Sequence, residues 1–148
     1  MPFYIAYRGD AGGASADYNE LRSQESMISI IVPCYNEQEA LPFFHEEVSR
    51  VLKEIGEDYE LLFVNDGSKD DTLKELKALS TKDPHVIYLS FSRNFGKEAA
   101  MYAGFCNAKG DYIAVMDADL QDPPALLPEM LKMLETDEYD SVATRRVS

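Results

Sequence analysis

Two acids, Asp117 and Asp119, close the apolar run Tyr112, Ile113, Ala114, Val115, Met116. If that run is a buried strand, an i, i+2 pair at its end points both carboxylates to one side. Carboxylates about 5 Å apart repel by roughly 3 kcal/mol at an effective dielectric of 20, so a cation belongs between or beside them. A hard divalent ion that takes oxygen ligands, Mg2+ or Mn2+, would offset the repulsion and bridge to a diphosphate. Turn residues leading to a helix cap at Asp122 are the plainer reading, but a turn needs neither a second acid nor Gln121 behind it. Asp66 ends another apolar run, Leu61, Leu62, Phe63, Val64, Asn65, and Gly67 beside it permits a tight turn with close backbone approach to a ligand. A carboxylate there can accept a hydrogen bond from a base imide or a ribose hydroxyl. Ser68, Asp70 and Asp71 read better as turn and cap residues.

Glu37, behind Pro33 and Tyr35, stays open between a ribose ligand and an acid in the first turn of a helix, where the dipole favours it. Arg93 and Lys97 are the cations best placed for a phosphate, on a loop and at a helix start, with solvated surface charge as the alternative. His45 and His85 read as surface or loop residues. Tyr102 and Phe105, at helical spacing, read as core or half-buried positions.

Positioning these groups requires a sheet. From Met27 onward short apolar runs alternate with longer amphipathic ones, the pattern of strand–helix units around a parallel sheet. Strands are expected at 28 to 33, 59 to 65, 86 to 91 and 112 to 116, with a weaker one near 140 to 144. Leu41, Phe44, Val48, Val51, Leu52 and Ile55 mark a helix that stops at Gly56, and Leu73, Leu76 and Leu79 a second. A third runs from about Lys97 to Ala108. The fourth begins at Asp122, Pro123, Pro124 and turns Leu127, Met130, Leu131 and Leu134 inward. The polar clusters then stand at the carboxyl ends of the strands, where an open α/β sheet binds ligands. The fold class is α/β, with helices on both faces of a mostly parallel sheet.

Residues 1 to 26 carry no sustained period and read as a leader, non-native or disordered, to which no function is assigned. Its stretch Phe3, Tyr4, Ile5, Ala6, Tyr7 nevertheless has the β-propensity to pair with a sheet edge or a neighbouring chain. A net charge of −13 argues against a nucleic-acid partner and against an anionic membrane surface. Cys34 and Cys106 form no CxxC pair and suggest neither a disulfide framework nor a zinc site. No apolar run approaches the roughly 20 residues of a membrane span, so the chain as given reads as soluble. A homo-oligomer is left open.

Four segments together resemble glycosyltransferase family 2: Val32-Pro33-Cys34-Tyr35-Asn36-Glu37, Asn65-Asp66-Gly67-Ser68-Lys69-Asp70-Asp71-Thr72, Arg93-Asn94-Phe95-Gly96-Lys97, and Asp117-Ala118-Asp119-Leu120-Gln121-Asp122-Pro123-Pro124. The branch they look most like is that of the dolichyl-phosphate mannose synthases and bacterial undecaprenyl-phosphate glucosyltransferases. The resemblance spans residues 27 to 148 and implies a GT-A fold. It also implies an inverting, Mg2+- or Mn2+-dependent transfer from a nucleotide diphosphate sugar, UDP-glucose by first choice, to a polyisoprenyl phosphate. By that likeness Pro33, Tyr35, Glu37 and Asp66 hold the nucleoside, Arg93 and Lys97 lie along the base and diphosphate, and Asp117, Asp119 and Gln121 form the metal and donor motif. Asn65 stands where many relatives carry Asp, which leaves it outside the expected site. Relatives continue past the position of Ser148 with acceptor-facing and membrane-surface elements. The expectation is a truncated donor-binding domain whose parent sits on the cytoplasmic face of a membrane and whose own transferase activity is weak or absent.

Overall fold

A computed structural model describes residues 5–8, 26–121, 123–136 and 138–143. Its strands are β1 (Ile5–Arg8), β2 (Met27–Cys34), β3 (Asp58–Asn65), β4 (Val86–Ser90), β5 (Tyr112–Val115) and β6 (Ser141–Ala143). They form one sheet in the order β4-β3-β2-β5-β1-β6. Neighbours from β4 to β5 are parallel, and β1 runs antiparallel to both β5 and β6. The helices are α1 (Leu41–Ile55), α2 (Thr72–Lys82), α3 (Lys97–Asn107) and α4 (Leu127–Glu135). The expected mostly parallel sheet with helices on both faces is the observed one.

Both faces of the central strands are covered, which is why β2 and β3 read as apolar runs without alternation. On one face Ile28, Ile30 and Val32 of β2 and Leu61 and Phe63 of β3 meet Leu41, Phe44, Val48 and Leu52 of α1, together with Leu76 of α2 and Leu127, Met130 and Leu134 of α4. Phe44 packs edge-on against Phe63, with ring centroids 5.9 Å apart. Burying each ring contributes about 1.5–3 kcal/mol before entropy is counted. On the other face Ile31, Leu62 and Val115 pack with Met101 and Phe105 of α3. Polar groups on that face are closed by a clasp: Ser29 Oγ donates to Glu60 Oε1 at 2.6 Å, Lys109 N to the same oxygen at 2.8 Å, and Gly110 N to Ser29 Oγ at 2.7 Å. It pins the chain leaving α3 beneath β2 and so sets where β5 begins. Nothing in the hydrophobic pattern announces a buried Ser–Glu pair.

Several expectations change. Tyr102 is 72% exposed, because α3 offers the sheet one side only and residue 102 lies on the other. The fourth helix starts later than expected: a 3-10 turn, Pro124–Leu126, precedes α4, whose first turn contains Pro128 and whose N-terminus has no side-chain cap. Asp122, the expected cap, lies outside the described residues. Four residues of the expected leader, Ile5–Arg8, are a strand between β5 and β6, as the β-propensity of that stretch allows. The remainder of residues 1–25 also lies outside the described residues. Among the described residues no helix is long and apolar enough to cross a membrane.

Candidate functional site

A cavity of about 240 Å³ opens at the carboxyl ends of β2, β3 and β5, lined by Pro33, Cys34, Tyr35, Glu37, Asp66, Lys97, Asp117, Ala118 and Asp119. All the sequence-predicted site residues except Arg93 and Gln121 are therefore brought together. Pro33 belongs to β2, and Tyr35 and Glu37 follow where it ends. Asp117 and Asp119 follow β5, and Lys97 opens α3. The crevice is the one an open parallel sheet provides where neighbouring strands release their chains to different connections.

The loop after β2 is fixed by the loop after β3. Asn36 N donates to Ser68 Oγ at 2.9 Å, and Lys69 N to Asn36 Oδ1 at 2.9 Å. Glu37 N donates to the buried Thr72 hydroxyl at 2.9 Å, and Asp71 N to Gln38 Oε1 at 2.8 Å. Asp70 accepts from Thr72 N through Oδ1 at 2.9 Å, and from Gln38 N through Oδ2 at 3.4 Å. Asp70 thus carries the turn chemistry expected of this segment, while Asp71, at the N-terminus of α2, makes no side-chain capping bond. Glu37 lies ahead of α1 and outside its first turn, so the helix-dipole alternative is set aside.

Asp66 is 4% exposed and both its oxygens are in use. Oδ1 accepts from Phe95 N at 2.7 Å, and Oδ2 from Gly96 N and Asn94 Nδ2, each at 3.1 Å. The carboxylate thereby holds the loop that carries Lys97 while lining the cavity. Gly67 has φ +66, and a Cβ there would sit 2.2 Å from the Arg93 carbonyl carbon and 2.3 Å from Asn94 N. The close approach expected for Gly67 toward a ligand is made instead by the backbone of this neighbouring loop. That Asp66 would anchor residues 94–96 was not visible in the sequence. The nearest signal was the pair Gly67 and Gly96, both at positive φ.

Charge in the cavity is mostly negative. Lys97 Nζ lies 2.7 Å from Asp117 Oδ1, so a cation does stand beside one of the two acids. Asp119 is exposed, and its Oδ1 accepts from Gln121 N at 3.2 Å. Burial, and then the charges of Asp119, Asp117 and Asp70, raise the Glu37 carboxyl above its ordinary pKa. The folded chain then holds that proton more tightly than the unfolded one, so ionising Glu37 removes stability as pH rises through its folded pKa. A cation in the cavity would restore it. Burial, then Glu37 and Asp117, push the Cys34 thiol well above its usual range, which removes it as a nucleophile.

Among the described residues no group of three or more His, Cys, Asp and Glu side chains could hold a metal ion. Asp117 and Asp119 line the same cavity and carry oxygen donors of the kind that Mg2+ or Mn2+ takes, with other positions left to phosphate and water. Arg93 lies off the cavity, its guanidinium 4.2 Å from the centroid of the Phe95 ring. Gln121 is exposed, and its backbone steadies Asp119. The two histidines meet away from the cavity at one carboxylate, His45 Nε2 lying 2.7 Å from Asp83 Oδ2 and His85 Nδ1 2.8 Å from Asp83 Oδ1. His85 is the loop residue the sequence suggested, in the turn before β4, and His45, in α1, is partly exposed.

With this geometry the chain resembles known proteins over most of its length. It is 46% identical over 105 residues to an Escherichia coli prophage bactoprenol glucosyl transferase homolog, covering 71% of this chain and 34% of the relative. It is 42% identical over 120 residues to the Proteus mirabilis undecaprenyl-phosphate 4-deoxy-4-formamido-L-arabinose transferase, covering 80% of this chain and 36% of the relative. The chain thus spans about a third of the length of these curated relatives. A Pyrobaculum calidifontis mannosyltransferase in complex with GDP-mannose and Mn2+ superposes with a TM-score of 0.65 at 21% identity, covering 76% of this chain and 33% of that one. The glucosyl-3-phosphoglycerate synthase of Mycobacterium tuberculosis, with Mn2+, UDP-glucose and phosphoglyceric acid, superposes at 0.61 with 22% identity, covering 88% and 46%. These likenesses identify the fold as GT-A. Glycosyl transferase family 2 matches residues 29–148, and the chain belongs to that family.

Proposed function

We propose that this chain is the nucleotide-sugar-binding part of an inverting glycosyltransferase that moves a sugar, glucose from UDP-glucose by first choice, to a polyisoprenyl phosphate. The observation that carries the reading is the convergence of Glu37, Asp66, Lys97, Asp117 and Asp119 on one cavity. Names of relatives support the acceptor class, since two of them are called bactoprenol or undecaprenyl-phosphate transferases. In this reading Pro33, Tyr35, Glu37 and Asp66 hold the nucleoside, and Lys97 meets the diphosphate. Asp117 and Asp119 hold Mg2+ or Mn2+, with Gln121 steadying Asp119. The ion, when bound, stabilises charge developing on the departing diphosphate. An acceptor phosphate oxygen forms the new bond to the anomeric carbon as the bond to the nucleoside diphosphate breaks. A phosphate with a second pKa of about 6 is mostly ionised at neutral pH, so no strong general base is required. The cavity's lack of histidine suits that chemistry. Arg93, outside the cavity lining, would reach the donor only from its rim.

A thermal-shift panel of UDP, GDP and their sugars, with and without Mn2+, tests the donor side. The expected result is a metal-dependent rise in melting temperature that is largest with UDP or UDP-glucose. A rise with neither nucleotide, at millimolar ligand, would overturn the reading.

A further inference from the structure

The ammonium of Lys97 sits 2.7 Å from Asp117 Oδ1, with the lysine side chain 51% exposed and the aspartate 24% exposed. Among the cavity-lining residues Lys97 is the cation, set against Glu37, Asp66, Asp117 and Asp119. Its backbone is fixed at the start of α3, just past the residues that Asp66 holds. The long stem, in contrast, is free to swing its charge away from an anchored origin, and a half-exposed ion pair is weak enough to exchange. We propose that Lys97 is an exchangeable internal cation that competes with the divalent ion for Asp117 and, once displaced, transfers its ammonium to the diphosphate.

The proposal rests on reading Asp117 and Asp119 as metal carboxylates. It adds a coupling: the ion is bound weakly alone because it must evict Lys97, and more tightly with a diphosphate because the evicted ammonium then has a new partner. Removing the ammonium should therefore move two affinities in opposite directions, which loss of structure cannot do.

Calorimetric titration with Mn2+ alone, and then with UDP into Mn2+-saturated protein, reads both. Lys97→Met is expected to bind Mn2+ alone roughly two- to fivefold more tightly than wild type, the range an exposed ion pair supplies. It should bind UDP roughly tenfold more weakly, as loss of a charge-assisted hydrogen bond implies. Lys97→Arg, which keeps the charge, should stay within about twofold of wild type for Mn2+ alone. Lys97→Gln repeats the test with a polar side chain should the Met variant fold poorly. If Mn2+ affinity is unchanged or falls in both neutral variants while wild type and Lys97→Arg bind it, competition is wrong and the metal reading survives. If Asp119→Asn binds Mn2+ as tightly as wild type, the metal reading falls, and this proposal with it.

Discussion

Asp119→Asn should abolish most of the Mn2+-dependent stabilisation by UDP-glucose while leaving the metal-free protein no less stable. The substitution keeps size and shape and removes a charge. Asn can still accept from Gln121 N at the position where Asp119 Oδ1 does at 3.2 Å, so the local turn survives. It also relieves repulsion from Asp117 and from Glu37, whose carboxyl Asp119 helps to raise. In wild type, ligand at a hundredfold excess over its dissociation constant adds about 2.7 kcal/mol by mass action. For a domain of this size that is on the order of 8 °C in melting temperature. Asp71→Asn is the comparison: Asp71 makes no side-chain cap bond and should retain the full shift. A full shift in Asp119→Asn with loss in Asp71→Asn would move the metal site away from residues 117–121.

Gly67→Ala is expected to cost at least about 3 kcal/mol of stability, read from the urea midpoint, and to weaken nucleotide binding as well. Two costs combine. An L-residue at φ +66 loses roughly 1–2 kcal/mol to backbone strain. The added Cβ would also lie 2.2 Å from the Arg93 carbonyl carbon and 2.3 Å from Asn94 N; neither is a side-chain end that can rotate away. The loop of residues 93–96 would have to lift, leaving the buried Asp66 carboxylate without its bonds from Phe95 N and Gly96 N and shifting the origin of Lys97. Gly56→Ala isolates the strain, because Gly56 has φ +82 and nothing within 4 Å of its would-be Cβ. That variant should lose only about 1 kcal/mol. Equal losses in the two would show that the contact between the loops does not matter.

The contrast between these glycines also marks what could be read from the sequence. Period and punctuation placed Ile30, Phe44, Leu61 and Leu131 in the core because burial on a strand or helix leaves a local pattern. The cavity residues were legible for a related reason: strand ends in a parallel sheet converge, so Glu37, Asp66, Lys97 and Asp117 could be assigned to one crevice without knowing any contact. Contacts between loops leave no such pattern. The bonds of Asp66 to residues 94–96, of Thr72 to Glu37 N, and of Lys97 to Asp117 each join side chains or turns whose sequence spacing carries no period. The acid pair Asp117 and Asp119 called for a cation nearby, and Lys97, 20 positions from Asp117 in the sequence and read as a phosphate ligand, stands beside Asp117. The strand Ile5–Arg8 shows the same limit, since its propensity was visible and its partners, β5 and β6, were not.

The proposed site requires the divalent ion and the nucleotide to share one cavity. Substoichiometric Mn2+ added with UDP-glucose to isotope-labelled protein broadens the amide signals nearest the ion, residue by residue. The signals of Asp119, Ala118, Asp117 and Glu37 should vanish first, followed by those of Tyr35, Asp66 and Lys97 around the same cavity. Signals of Asp83 and His85 should persist, because they precede β4 at the amino end of the sheet. Broadening centred on His45, Asp83 and His85, the other place where a carboxylate meets nitrogen ligands, would contradict that placement.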